Sequence, residues 1–203
     1  MISLFPICYL PPISYFSALM RADKIIFENH EHYIKQTYRN RTLIYGANGI
    51  QAMIIPVRHE GTERIPIAER KISYTDPWQK IHWRTLTSSY RNAPYFEFFE
   101  DDFRTLYETK TETLAEFNLQ LMHKLFSILK IKTEIEFTSS YEESAREGTI
   151  DFRNSFSPSA RKTIPSYNQV FGERFGFISD LSIVDLLFNK GLETKNYLEQ
   201  IGN

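Results

Sequence analysis

Cysteine is nearly missing from this chain. Cys8 stands alone among 203 residues, which excludes an intramolecular disulfide, and the lack of any CxxC pair argues against a thiolate zinc site. A reducing, cytoplasmic compartment fits that usage. Net charge is nearly missing too. With 24 Lys and Arg against 25 Asp and Glu the balance is -1, so no global field favours nucleic acid or an anionic membrane, and any basic site must be local. The first twenty residues, MISLFPICYLPPISYFSALM, are apolar and uncharged. No basic n-region precedes them, and Pro6, Pro11 and Pro12 break a helix of that length, so neither a signal peptide nor membrane insertion is expected. The familiar fingerprints are absent as well: no P-loop, no GxGxxG, no GxSxG and no HExxH. No internal repeat or low-complexity linker divides the chain.

What is present reads as one α/β domain over residues 1–192 with a tail at 193–203. A composition 42% hydrophobic and 24% charged is ordinary globular, and the length suffices for one substantial core. Sixteen Phe and twelve Tyr need that core, or a ligand, to cover them. SLFPICYL predicts a buried strand ended by Pro11 and Pro12, Ser14 a capped helix over 15–22, and DKIIFE a second strand. That βαβ unit implies a mostly parallel sheet. Two β-prone runs around GANG predict a hairpin. Residues 60–75 read as a connector or a lid. A central helical segment follows: Asp76 and Pro77 start one helix, another crosses 95–108, and Thr113 with Glu116 forms a capping box ahead of Leu114, Phe117, Leu121, Leu125 and Ile128 at helical spacing. TEIEFTSS predicts a strand, 141–163 a loop with one short strand, and SIVDLLFNKG a helix capped by Ser182 and closed by Gly191.

Two stretches carry candidate chemistry. FENHEHYIKQTYRNR, residues 27–41, begins where a buried strand runs out, the place where α/β proteins hold ligands. If extended, His30 and His32 project to the same side. A zinc site needs a third ligand, and although Glu28, His59 and His82 are available no spacing selects among them, so no metal is assigned and the cofactor is left open. Lys35, Arg39 and Arg41 make an anion site of the same stretch, since guanidinium forks suit phosphate or carboxylate. The helix DPWQKIHWRTLTSSYRN places Lys80, Arg84, Thr87 and Arg91 on one stripe, Trp83, Leu86 and Tyr90 on another, and Trp78 with His82 on a third. Such a helix suits an anionic, partly aromatic ligand such as a nucleotide; the alternative is an ordinary amphipathic helix with its cations in solvent.

Three segments in order, YLPPISYFSALMRADKIIFENHEHYIKQTYRNR, WQKIHWRTLTSSYRNAPYFEFFEDDF and GFISDLSIVDLLFNKG, resemble the WbqC-like family of bacterial proteins. The family's opening His-Gln-Pro-x-Tyr-Leu-Pro-Trp is matched here at Tyr9, Leu10 and Pro11, without the histidine. Its paired aspartates are replaced by Glu28 and Asn29. Asn40 and Arg41 match its Asn-Arg pair; Trp78, His82, Trp83, Tyr90, Ala93, Pro94, Tyr95 and Phe96 match its helix, and Leu181, Ser182, Asp185 and Leu186 its last motif. A Gly-rich segment of longer members is missing between 141 and 163. The family's start resembles nucleotidylyltransferase-type folds, whose helix N-terminus holds phosphates. The resemblance implies surface-polysaccharide biosynthesis. On it we expect group transfer on an activated anionic metabolite, a nucleotide or sugar nucleotide, held by Lys35, Arg39, Asn40, Arg41, Trp78, Lys80, Arg84 and Tyr95, with His30, His32 or His82 as acid or base. The alternative is a non-catalytic binding or adaptor protein on the same scaffold.

Overall fold

The computed structural model describes residues 1–58 and 65–201. Strand β1 (Ile2–Pro6) leads through the rigid Pro11-Pro12 loop into helix α1 (Ile13–Met20) and back into β2 (Lys24–Glu28), which pairs with β1 in parallel. The hairpin β3 (Arg41–Gly46) and β4 (Gly49–Ile54) follows as a separate two-stranded sheet, turning at Ala47 and Asn48. Helices α2 (Trp78–Tyr90), α3 (Phe96–Glu108) and α4 (Leu114–Leu129) form the central helical segment. The chain then adds β5 (Glu134–Phe137) beside β2 and β6 (Thr149–Asp151) on the other side of β1, both parallel. It closes with α5 (Gly172–Phe175), α6 (Ile183–Lys190) and α7 (Glu193–Gln200).

The sheet order β5-β2-β1-β6 reverses direction between β1 and β6. In open α/β sheets that reversal opens a crevice at the carboxyl ends of the strands. Phe5, Ile25 and Phe27 are fully buried on one face. The opposite face carries Leu4 and Ile26 beside Lys24, Glu134 and Glu136, where Lys24 pairs both glutamates. Such charges protect the β5 edge from further strand pairing.

Local signals and tertiary demands part company at the helix caps. Thr113 accepts the Glu116 N–H as the box requires, worth about 1 kcal/mol. Ser14 and Ser182 do not cap by side chain. Their hydroxyls are taken by the Asp180 carboxylate and the Leu10 carbonyl, and α1 starts at Ile13 instead. Pro77, not Asp76, stands at the α2 N-cap, again without a side-chain bond. Of the stretch 60–75, residues 60–64 lie outside the described residues, and 65–75 are stitched down by bridges of Pro66 to His32, Ile72 to Val57 and Lys71 to Thr113. Of the stretch 193–203, expected as a tail, Glu193–Gln200 forms α7: Leu198 is wholly buried, because the helix packs against α1 and α6.

Candidate functional site

Glu28, at the end of β2, is fully buried. A buried carboxylate needs its lone pairs filled, and its Oε1 accepts from the His30 N–H (2.8 Å) and the Thr138 hydroxyl (2.8 Å), while Oε2 accepts from Arg153 Nη1 (3.2 Å). Arg153 follows β6, across the sheet reversal. Its guanidinium also donates to Asp151 and to the carbonyls of Glu142 and Glu143, so each of its three nitrogens is engaged. Arg39 makes a bidentate pair with Glu31, through Nε to Oε1 at 2.7 Å and Nη2 to Oε2, and its Nη2 reaches the Arg153 carbonyl. Burial pushes the Glu31 carboxyl above its ordinary value against the opposing pull of Arg39. Asp151 is partly buried, yet its bonds to Arg153 hold it below the usual carboxylate range. The strand ends are therefore filled by three carboxylates and two guanidiniums of the chain itself. Beside them, on the open sheet face, a cavity of about 100 Å³ lies under residues 138–146.

The other phosphate position of such folds, the N-terminus of the first crossover helix, is closed as well. Asp180 accepts from the Ser14 N–H and hydroxyl, both at 2.8 Å, and from the Lys162 N–H. An internal carboxylate stands where a ligand phosphate would.

The three histidines separate. His30 and His32 sit at the rim of the Glu28 cluster, half-buried and exposed respectively, with the His32 ring 6.5 Å from that of Tyr141, which in turn covers Arg153. His82 lies in the core between Tyr9, Trp78 and the Ile54 carbonyl. Its Nδ1 shares a 2.9 Å hydrogen bond with the Tyr9 hydroxyl, which is 2.6 Å from that of Tyr107. Burial drives its pKa down to about 4, so the ring is neutral. Together with the Ile54 backbone, the Tyr9 hydroxyl holds the ring inside the core. Cys8 is equally withdrawn, its thiol pushed by burial up to about 12. Among the described residues no group of three or more His, Cys, Asp or Glu is arranged to hold a metal ion.

Of the residues expected to bind an anion, Arg39 is committed to Glu31, and Asn40 is tied to Ile55, its amide donating to that carbonyl at 2.9 Å. Lys35 is exposed in the turn after His32, and Tyr95 packs against Gly191 and Phe98. The α2 stripe is different. Lys80, Arg84 and Arg91 are exposed, and no ion pair involves them or Lys110 among the described residues. They line two adjoining concavities of about 630 and 550 Å³ that share Lys80 and Trp83. Trp83 is half-buried, its ring stacked on Phe96 at 6.1 Å and 25°. Trp78 lines the first concavity while itself 3% exposed. The Thr87 hydroxyl, in the second, is shielded from solvent without a partner. Asp76 and Glu108 also border the first.

Arg153, Glu31 and Asp180 were not singled out from sequence. Glu31 sits within the HEH triplet, and Arg153 follows a three-residue strand, but Glu28, the buried partner of Arg153, and Ser14, that of Asp180, lie more than a hundred residues away. No local pattern signals them.

No helix among the described residues is long and apolar enough to cross a membrane. No solved structure matches the chain. The uncharacterized protein Rv1507c of Mycobacterium tuberculosis is 29% identical to it, the match covering 94% of each. The WbqC-like protein family matches residues 8–157, well over half of the chain including Glu28, Arg153 and all of α2, and the chain belongs to that family.

Proposed function

We propose that this WbqC-like protein binds an activated, phosphate-bearing metabolite of the nucleotide or sugar-nucleotide class along α2, in the surface-polysaccharide biosynthesis that the family resemblance implies. The observation that carries the reading is the run of unpaired cations around the half-buried Trp83 in a continuous groove. Like charges at Lys80 and Arg84, one turn apart, cost a few tenths of a kcal/mol in an isolated helix. Arg91 extends the stripe without an intervening acid. A diphosphate satisfies these cations by charge-assisted bonds, and a base or sugar covers the exposed part of the indole.

Transfer chemistry on that ligand is the second reading. The solvent-reaching His30 and His32 favour it, as the acid–base groups still free to act. Neither lines the α2 groove, whereas His82, which belongs to α2, is locked in the core. Recognition without turnover is therefore the reading this geometry supports better.

The test uses the two tryptophans. Nucleoside diphosphates and sugar nucleotides, titrated at constant ionic strength, are expected to quench the Trp83 fluorescence, because Trp78 is buried. Trp83→Phe should abolish the signal, and a Lys80→Ala/Arg84→Ala double variant should weaken binding at least about tenfold, the scale of losing two charged hydrogen bonds. Calorimetry without saturable binding by any of these ligands would refute the proposal. Release of nucleoside diphosphate from a sugar nucleotide, lost in His30→Gln or His32→Gln, would select the transferase reading over plain recognition.

A further inference from the structure

We infer that the chain pairs with a second copy of itself through the outer edge of β4. Along an antiparallel hairpin the backbone groups alternate between facing the partner strand and facing outward. The Ile55 N–H donates to the Asn40 carbonyl, and in that register Met53, Gln51 and Gly49 face β3, whereas Ile50, Ala52 and Ile54 face outward. The outer edge of β3 is covered: the Leu43 carbonyl accepts from the Ser182 N–H, and the Tyr45 N–H donates to the Tyr90 hydroxyl. On β4, Ile54 is engaged by His82. Ile50 and Ala52 each keep an outward N–H and C=O, and none of these groups has a partner among the described residues.

The side chains of this edge are apolar. Ile50 is 46% exposed and Ile54 44%, with the exposed Ala52 between them on the same face. Phe175, also exposed, extends the row, its ring 6.5 Å from that of Tyr45, which stands opposite Ile50. No charged residue occurs from Thr42 to Val57. An exposed apolar edge strand without charge or proline is a template for a further strand, and proteins ordinarily guard such edges. This chain guards β5 with Lys24, Glu134 and Glu136 and leaves β4 unguarded.

Symmetry selects the occupant. A two-fold axis beside Gln51 sets β4 antiparallel to its copy, with Ile50 opposite the copy's Ala52 and Ala52 opposite its Ile50. In that register the free N–H and C=O groups of both strands satisfy one another. Each large side chain meets a small one. Gln51 meets its own equivalent, and an amide, both donor and acceptor, bonds to its like. A strand carrying charge of one sign is repelled by its own copy, and this one carries none. With a net charge of -1 the whole chains repel each other little.

Sedimentation equilibrium of the full chain, from low to high micromolar concentration, reads the pairing, and a reversible dimer is expected. Ala52→Pro removes an N–H that makes no internal bond and should weaken the dimer at least about tenfold, the scale of losing one hydrogen bond from each copy. Ile50→Lys, at an exposed position, puts a cation on both sides of the axis and should also weaken it; this variant carries the test if the proline variant fails to fold. At a non-hydrogen-bonded antiparallel pair the Cα atoms lie about 4.5 Å apart, within disulfide reach. Gln51→Cys should therefore give a covalent dimer under mild oxidation, whereas Phe98→Cys, at an exposed position on α3, should not; Cys8 is buried and takes no part. A chain that stays monomeric at every concentration would overturn the inference. So would a dimer of undiminished affinity in Ile50→Lys and Ala52→Pro, or cross-linking of Phe98→Cys as readily as of Gln51→Cys.

Discussion

Acidification from pH 7 to pH 4.5 should destabilise the protein through His82. The ring is buried, shares a hydrogen bond with Tyr9, and has a pKa lowered by that burial from 6.5 to about 4. In the unfolded chain the same imidazole titrates near 6.5. Between those values the unfolded state binds a proton that the folded state refuses, so stability rises with pH across the window and is lost as pH falls through it. Each pKa unit corresponds to about 1.4 kcal/mol, which gives roughly 2 kcal/mol lost by pH 5 and about 3 by pH 4. Urea unfolding at a series of pH values measures it, with His82→Gln as the reference. A glutamine can still accept from Tyr9 and donate toward Ile54 but cannot be protonated. Burial raises the Glu31 and Asp185 carboxyls, so those groups act in the opposite sense and are common to both proteins. The difference between wild type and variant therefore isolates His82. A difference that stays constant from pH 7 to 4.5, or an NMR titration of His82 near 6.5, would refute the reasoning.

Two further perturbations probe the scaffold. Arg153→Met strips the fully buried Glu28 of its cation and should cost about 3–5 kcal/mol in chemical denaturation, the scale of breaking one side of a buried ion pair; adding Glu28→Gln should restore part of it, and no recovery would mean that the lost carbonyl contacts dominate. Gly191→Ala places a Cβ 2.5 Å from the Tyr95 ring at a backbone φ of 58°; the backbone strain alone costs on the order of 1–3 kcal/mol. Combining it with Tyr95→Ala should relieve the clash but not the strain, a separation that a double-mutant cycle reads directly.

The parts legible from sequence were those decided within a few residues. The β1–α1–β2 unit, the hairpin around Ala47 and Asn48, and the α4 cap all follow from short-range periodicity or turn chemistry, and all are present. Ser14 and Ser182 look like caps by the same logic, but distant partners claim their hydroxyls. Helical spacing divides α2 into three faces, but spacing alone does not say how many of them the fold covers. Trp78, His82, Leu86 and Tyr90 are buried because the helix packs on α3 and β3, while Trp83 is half-buried and Lys80, Arg84 and Arg91 stay in solvent beside the exposed Ile81.

The positions of the internal charges bear on where function can reside. An α/β sheet of this order ordinarily leaves its strand ends and first helix N-terminus open to a ligand. Here Asp180 fills the helix N-terminus, and Glu28, Asp151 and Arg153 fill the strand ends. Glu28 stands where the family's acidic pair would be, and Arg153 directly saturates it. Opening that crevice would mean breaking a buried ion pair, a cost of several kcal/mol that a weakly bound metabolite cannot supply. Among the described residues Lys80, Arg84 and Arg91 on α2 have no such ion pair. Ligands can reach these without displacing the protein's own groups, so the search for what this chain binds belongs on α2 rather than at the sheet's carboxyl edge.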